Sequence, residues 1–213
     1  MWDAILFDND GVLVDTEGLY FRANREVLAG VGVALDEAAY VELFLREGTG
    51  AWHLAEARGL SAESVADLRA VRDRRYAELL DEAPIAIPGV AELLPALAAR
   101  YRLAIVTSSE PDPFARTHVR TGLLPHFELV LTRADYQRSK PDPQPYLCAV
   151  GRLGLPPERC LVIEDSERGL RAAKAAGLTC WVVPSGLTAG GHFEAADAVL
   201  PDLFAVAARL LAD

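Results

Sequence analysis

The sequence predicts a doubly wound α/β fold with an inserted helical domain, and three observations support that prediction. Short apolar runs recur along the 213 residues, and they lack the polar alternation of half-exposed strands. Such runs are typical of strands buried on both faces of a parallel sheet. Segments with helical spacing separate the runs, and one long interval contains helix signals alone. Alternation of strands and helices favours helices packed on both faces of one sheet.

Six apolar runs are the predicted strands. Each is three or four residues long and is followed by polar or turn-forming residues, which is how buried parallel strands end. The runs are Ala4–Phe7, Leu103–Val106, Leu129–Leu131, Leu161–Ile163, Cys180–Val183 and a weaker one at Ala198–Leu200.

Helices are predicted between these runs from apolar spacing and from capping residues. Ser166 can cap a helix that continues to Ala176, and Gly177 can end it in the left-handed conformation. Gly154 can end an earlier helix in the same way. The helix that Gly154 ends has an apolar stripe, which is expected to face the core and consists of Tyr146, Leu147, Val150 and Leu153. A further helix has apolar residues at helical spacing, namely Val90, Leu93, Leu94 and Leu97.

The interval from about residue 16 to about residue 80 has helix signals only. The chain is therefore predicted to leave the sheet after its first strand, to form a helical domain and then to return. We expect a discontinuous core domain of residues 1–14 and 82–213, and a helical domain of residues 15–81.

Composition excludes several classes of protein. The formal net charge is −10 and the pI is near 4.9, without a basic stripe, so no nucleic-acid partner is expected. No apolar run approaches the roughly 18 residues of a membrane span, and no basic segment precedes Asp3. Three cysteines without a CxxC pair favour reduced thiols. We expect a cytoplasmic protein without a membrane partner and, since no heptad pattern occurs, a monomer.

Polar residues directly follow the first, second and fourth predicted strands. Asp8-Asn9-Asp10-Gly11 follows the first strand, Thr107-Ser108-Ser109 the second and Glu164-Asp165-Ser166 the fourth, while Lys140 lies in a turn before the fourth. Ligands of open parallel sheets bind at the carboxyl ends of the strands. Carboxylates gathered there are hard oxygen ligands for Mg²⁺, and hydroxyls and a lysine can hold phosphate oxygens. The arrangement indicates phosphoryl chemistry.

These residues resemble the motifs of the haloacid dehalogenase superfamily, in particular its β-phosphoglucomutase-like phosphatases. The first motif corresponds to residues 8–17, the second to Thr107, the third to residues 140–143, and the fourth to residues 164–166 with Gly169. The resemblance extends over nearly the whole chain. It implies a Rossmann-like core with a mobile helical cap inserted after the first motif.

The resemblance also implies residue roles. Asp8 is expected to be the nucleophile that takes the phosphoryl group, and Asp10 the general acid and then the general base. The Asp8 carboxylate, the Asp10 carbonyl and Asp165 are expected to hold Mg²⁺, with Glu164 helping directly or through water. Further residues are expected to contact the phosphoryl group or the rest of a small phosphorylated metabolite: Thr107, Lys140, the amides of Asn9 and Ser108, and Arg46 in the helical cap.

Three alternatives accompany the phosphatase prediction. Dehalogenases of the superfamily lack the second aspartate and use no metal, so Asp10 and Asp165 argue against that class. Sugar-phosphate mutases typically carry a histidine in the first cap helix, where this chain has Tyr20, so hydrolysis is favoured over isomerisation. A phospho-accepting receiver module is shorter and lacks both a cap and an acid/base residue two positions after the nucleophile.

Overall fold

The computed structural model describes residues 2–82 and 84–212. The chain folds into two compact units, one made of Met1–Asp15 with Ile85–Asp213 and the other of Thr16–Pro84. The first unit contains the sheet. Every regular element that the structure describes in the second unit is helical.

A single six-stranded sheet, parallel throughout, organises the first unit in the order β3-β2-β1-β4-β5-β6. All six predicted strands are confirmed, within one or two residues at their ends. The strands are β1 Ala4–Phe7, β2 Arg102–Val106, β3 Leu129–Leu131, β4 Cys160–Glu164, β5 Thr179–Val182 and β6 Ala198–Val199. This is the doubly wound order, in which the order of strand addition reverses between β1 and β4.

Helices cover both faces of this sheet, because successive strand residues point to opposite sides. The odd-numbered residues of β1, Ile5 and Phe7, belong to one apolar cluster with residues of the helices Val90–Ala98, Pro111–His118 and Leu203–Leu211. The even-numbered Ala4 and Leu6 belong to a second cluster with residues of the helices Gln144–Leu153 and Glu167–Ala175. The core helices are α5 Val90–Ala98, α6 Pro111–His118, α7 Gln144–Leu153, α8 Glu167–Ala175 and α9 Leu203–Leu211.

Capping explains where the core helices begin and end. The Ser166 hydroxyl accepts a hydrogen bond from the Gly169 amide at the start of α8, as predicted. Gly154 ends α7 with φ of 66°. The prediction that Leu147 belongs to the buried stripe of α7 is wrong: its side chain is 47% exposed, since Pro145 and Ala149 share the buried face instead.

The second unit contains the helices α1 Glu17–Ala29, α2 Glu37–Tyr40, α3 Trp52–Glu56 and α4 Ala62–Glu82, with a π-helical segment at Val41–Arg46. An aromatic cluster forms its interior. Tyr20 contacts Tyr76 edge-on with ring centroids 5.1 Å apart, and Tyr40 stacks on Phe44 at 4.5 Å. The Arg72 guanidinium lies 4.7 Å from the Tyr20 ring and donates hydrogen bonds to the Tyr20 hydroxyl and to Asn24.

No helix in the described part of the chain combines the length and the apolar character that a membrane span requires.

The central strand supports the whole first unit, so its truncation is expected to be costly. Leu6→Ala removes a side chain with no exposed surface and should lower the free energy of unfolding by about 2–5 kcal/mol. Val119→Ala is the control, because Val119 is 79% exposed, and should change it by less than about 0.5 kcal/mol. Urea unfolding measures both variants. Equal, small effects would contradict the assigned core.

Candidate active site

The ends of three neighbouring strands meet around one buried ammonium group. Lys140 Nζ lies 2.7 Å from Asp8 Oδ1, 2.7 Å from Glu164 Oε1 and 2.9 Å from the Val106 carbonyl oxygen. Asp8 follows β1, Val106 ends β2 and Glu164 ends β4. The ammonium group thus donates to all three strand ends, and the Lys140 residue is 5% exposed.

The two carboxylates next to Lys140 differ in their surroundings. Burial raises the pKa of Asp8 to about 7; Lys140 opposes this rise, while Glu164 and Asp10 add to it. Burial also acts to raise the pKa of Glu164, but Lys140 and the hydrogen bonds from Tyr146 and Ser166 outweigh it and lower that pKa. A charged Glu164 therefore accompanies a charged Lys140, whose pKa is raised by Asp8 and Glu164 despite its burial.

Both oxygens of Glu164 accept hydrogen bonds from the protein. Oε1 accepts from Lys140 and, at 2.6 Å, from the Tyr146 hydroxyl. Oε2 lies 3.1–3.3 Å from the Ser166 hydroxyl and from the amides of Asp165 and Ser166. The first turn of α8 leaves room for this carboxylate because residue 169 is glycine: a Cβ there would lie 1.7 Å from Oε1.

Asp10 is held by the loop after β2. Its Oδ2 accepts hydrogen bonds from the Ser109 hydroxyl at 2.7 Å and from the Thr107 hydroxyl at 3.2 Å. The Ser109 amide donates to Thr107 Oγ1, which stiffens the loop. The carboxylate is thereby aimed along the sheet edge, two residues beyond Asp8.

Asp165 approaches the turn that follows β1. Gly11 has φ of 80°, a region that favours glycine, and a Cβ on it would lie 2.1 Å from Asp165 Oδ2. Thr188 Oγ1 lies 3.2 Å from the same oxygen, and the Ser185 hydroxyl donates to the Gly11 carbonyl. These contacts fix Asp165 beside the first motif.

The donor set fits a hard divalent cation. Asp8, Glu164 and Asp165 each offer an oxygen, these atoms lie within 4.8 Å of one another, and all three residues are buried. The carboxylates of Asp8, Glu164 and Asp165 face one compensating lysine, so the formal charge of this cluster is negative. Hard oxygen ligands of this kind suit Mg²⁺. Since Glu164 is already saturated with protein donors, Asp8 and Asp165 are better placed to accept a cation.

The structure brings together six residues predicted for the site: Asp8, Asp10, Thr107, Lys140, Glu164 and Asp165. Ser108 lies on the exposed side of the same loop as Thr107. Arg46 belongs to the second unit, where its Nη1 lies 3.1 Å from Glu42 Oε2 and its side chain is 33% exposed.

Sequence reasoning missed several supporting residues, namely Ser109, Tyr146, Ser185 and Thr188. The Thr-Ser-Ser run contained a signal for Ser109, because either serine could face the site. Nothing in the sequence indicated a site role for Tyr146, since its spacing predicts only a core residue of α7.

The backbone amide of Asn9 was expected to contact the phosphoryl group. The Asn9 side chain contacts a histidine instead. It is fully buried, and its Oδ1 lies 2.8 Å from Nε2 of His118 at the end of α6. Burial lowers the pKa of His118 to about 4, although the Asp10 carboxylate opposes the shift. The imidazole is therefore neutral at physiological pH.

Comparison with known proteins identifies the family. A model of the haloacid dehalogenase-like hydrolases matches residues 2–177, so the chain belongs to that family. It is 36% identical to protein CbbY of Rhodobacter capsulatus over 98% of this chain and 96% of the relative. It is 34% identical to the phosphorylated carbohydrates phosphatase of Thermotoga maritima over 83% and 82% of the two chains.

A solved structure shows the same fold. CbbY from Rhodobacter sphaeroides, crystallised as a variant in complex with xylulose-(1,5)bisphosphate, superimposes with a TM-score of 0.78. It is 33% identical, and the match covers 95% of each chain. The sheet with its inserted helical unit is thus the fold of this family.

The neutral His118 predicts a specific dependence of stability on pH. The unfolded chain protonates this histidine near pH 6.5, whereas the folded chain does so only near pH 4. Stability is therefore lost as the pH falls between these values, by about 2 kcal/mol at pH 5. His118→Gln, which does not titrate, should lack this loss. Urea unfolding at pH 7.5 and pH 5.0 compares the two proteins, and identical pH slopes would contradict the assignment.

Proposed function

We propose that the protein is a Mg²⁺-dependent phosphatase that hydrolyses small phosphorylated metabolites, sugar phosphates in particular, through an aspartyl-phosphate on Asp8. One observation carries the proposal: the Asp8 carboxylate lies 2.7 Å from the buried Lys140 ammonium, at the sheet edge where Asp10 and Asp165 also converge. Relatives named as phosphatases support the reaction class.

The proposed first step transfers the phosphoryl group to the enzyme. An Asp8 carboxylate oxygen forms a bond to phosphorus while the bond from phosphorus to the ester oxygen breaks. Asp10 gives its proton to that leaving oxygen, and the dephosphorylated product departs. Asp10 suits this role because the hydroxyls of Thr107 and Ser109 orient its carboxylate.

The second step returns the enzyme to its starting state. Asp10, now a carboxylate, takes a proton from a water molecule, whose oxygen attacks phosphorus. The bond between phosphorus and Asp8 breaks, and inorganic phosphate is released. Lys140, the Thr107 hydroxyl and the amides of Asn9 and Ser108 are proposed to bind the phosphoryl oxygens, because positioning and charge neutralisation dominate phosphoryl transfer.

Mg²⁺ is proposed to bind between Asp8, the Asp10 carbonyl and Asp165. When bound it neutralises charge on the phosphoryl oxygens. Lys140 opposes the rise that burial imposes on the Asp8 pKa, and a bound Mg²⁺ would lower that pKa further. With the metal bound, Asp8 would be ionised at neutral pH, as a nucleophile requires. Glu164 is proposed to contribute mainly by holding Lys140 and not as a direct ligand.

The substrate is proposed to be a phosphorylated carbohydrate. The CbbY structure in complex with xylulose-(1,5)bisphosphate makes sugar bisphosphates the first candidates to assay. Residues 15–81 are proposed to act as the cap, with Arg46 as a substrate contact that would have to exchange its Glu42 partner for the ligand. A monomeric, cytoplasmic enzyme remains a prediction.

Sugar-phosphate mutase activity is the alternative, and the second unit gives no support for it. Tyr20 stands where such mutases carry a histidine. Burial raises the pKa of the Tyr20 hydroxyl, with Arg72 opposing the rise. The hydroxyl also accepts a hydrogen bond from Arg72. A protonated, engaged phenol is a poor base, so water is the favoured acceptor of the phosphoryl group.

Substitution of the two aspartates separates the two steps. Asp8→Asn should lower kcat by roughly four orders of magnitude or more, because the nucleophile is lost. Asp10→Asn should also stop turnover, but phosphoenzyme should accumulate with a substrate whose leaving group needs no proton. Intact-protein mass spectrometry detects that species. Asp112→Asn, an exposed control near the start of α6, should keep the wild-type rate. Rapid phosphate release by Asp8→Asn would remove Asp8 from its role.

Phosphate release from a panel of substrates tests the reaction and its metal together. Sugar phosphates and bisphosphates should be hydrolysed faster than nucleotides or pyrophosphate, and EDTA should abolish the activity until Mg²⁺ is restored. Asp165→Asn should raise the half-saturating Mg²⁺ concentration at least about tenfold, while the exposed Glu158→Gln should leave it unchanged. Full activity in EDTA would contradict the metal assignment, and interconversion of phosphosugars without phosphate release would favour a mutase.

A further inference from the structure

A polar pair lies inside one of the two apolar layers of the sheet, directly beneath the first motif. Along β1 the odd-numbered residues Ile5 and Phe7 point into the layer that also contains Phe114 and Leu123. Asn9 continues this alternation, so its side chain points away from the face on which Asp8 meets Lys140. The amide is fully buried, and it meets the imidazole of His118, which is 5% exposed.

The hydrogen bonds of the pair form a short chain. His118 Nε2 lies 2.8 Å from Asn9 Oδ1, and His118 Nδ1 lies 2.9 Å from the Thr121 hydroxyl. A neutral imidazole has one N–H donor and one acceptor nitrogen. If Nε2–H donates to Asn9, then Nδ1 accepts the Thr121 hydroxyl proton, and both ring nitrogens are satisfied. The imidazole is thus held at both nitrogens.

The backbone of Asn9 also accepts several hydrogen bonds. Its carbonyl oxygen accepts from the amides of Leu13 at 2.8 Å, Val14 at 3.1 Å and Val12 at 3.3 Å, which closes the turn after β1. The side chain ties the same residue to the end of α6. Asp8 and Asp10 are the direct neighbours of Asn9 in sequence, so rotation of Asn9 would re-aim both carboxylates.

The helix that carries His118 is the continuation of the loop that holds Asp10. Residues Thr107 and Ser109 bind the Asp10 carboxylate, and α6 starts at Pro111 and ends at His118. The first motif and the loop after β2 are therefore joined at two points, one on the reactive side through Asp10 and one on the buried side through Asn9. Two attachments fix an orientation that one attachment leaves free.

The pair is not favourable for stability alone. Asn9 Nδ2 is buried and has no hydrogen-bond partner within residues 2–82 and 84–212. An orphaned buried amide group is costly, and an apolar residue of similar size would fit this layer without that cost. Local rules of this kind are broken mainly where a site requires a defined geometry.

We propose that Asn9 and His118 are positioning residues for the phosphoryl-transfer reaction, and that their hydrogen bond fixes the backbone between Asp8 and Asp10 against the loop of Thr107 and Ser109. The inference rests on the proposed function and adds to it a buried determinant of the acid/base geometry. His118 touches neither the phosphoryl group nor Asp10 in this role; it acts through Asn9.

Four variants test the proposal in the full-length, Mg²⁺-loaded protein, with a sugar phosphate that the wild type hydrolyses. Asn9→Leu and His118→Leu should each lower kcat about 10- to 100-fold, because small misplacements of reacting groups are costly, and should change KM less than about twofold. His118→Gln keeps a side-chain donor and should recover most of the lost rate. The double variant Asn9→Leu/His118→Leu should be no slower than the slower single variant, since both changes remove one interaction.

A control and a second readout separate positioning from folding. Thr117→Val alters another buried hydroxyl of α6, which bonds only to the Pro113 carbonyl among its described contacts, and should keep the wild-type kcat. Asn9→Leu removes the orphaned Nδ2 but also leaves the buried Nε2–H of His118 without its acceptor, so its unfolding temperature should stay within a few degrees of the wild type, and it remains informative if His118→Leu does not fold. A kcat within twofold of wild type for Asn9→Leu overturns the proposal, as does an equal loss in Thr117→Val. A wild type that releases no phosphate would instead refute the proposed function.

Discussion

The rest of the site depends on the hydrogen bonds and ion pairs that the buried ammonium group of Lys140 forms. Burial of a charge without a partner is prohibitive, and burial of a pair is tolerated only with good geometry and with further hydrogen bonds. Lys140 meets this requirement with Asp8, Glu164 and the Val106 carbonyl, one acceptor from each of three neighbouring strand ends. Loss of either carboxylate would leave a buried positive charge only partly compensated. The lysine therefore couples the sheet topology to the position of Asp8.

The four carboxylates of the site differ in their hydrogen-bond partners. Glu164 is saturated by Lys140, Tyr146 and the start of α8, and so it anchors the lysine. Asp10 is oriented by hydroxyls, which suits a group that gives and takes protons. Asp8 and Asp165 each place an oxygen in the same cluster, and Asp165 also lies against the Gly11 turn. Identical functional groups thus have different surroundings, and the roles proposed for them follow from the donors around them.

Much of this architecture could be predicted from the sequence, because it depends on local patterns. The six strands are apolar on both faces, and such runs are visible without any tertiary information. The helical interval after the first strand, the cap of α8 at Ser166 and the end of α7 at Gly154 are equally local. The ordering of polar residues at successive strand ends was enough to predict which side chains would converge.

Contacts between distant loops could not be predicted in this way. The bond between Asn9 and His118 joins residues 109 positions apart, and neither residue type signals the other. Leu147 shows the opposite failure: its spacing fitted the apolar stripe of α7, but the helix turns it outward. Arg46 stands out in the sequence for its charge and its place in the chain, but the sequence alone did not reveal its ion pair with Glu42 in a π-helical segment.

The central claim is that Asp8 accepts the phosphoryl group while Lys140 stabilises it. The most direct measurement is a crystal structure of the protein with Mg²⁺ and beryllofluoride, a mimic of an aspartyl-phosphate. The account predicts beryllium bonded to a carboxylate oxygen of Asp8, with the Lys140 ammonium within hydrogen-bond distance of a fluoride and Mg²⁺ beside Asp165. Beryllofluoride on another carboxylate, or a Lys140 side chain directed away from it, would contradict the account.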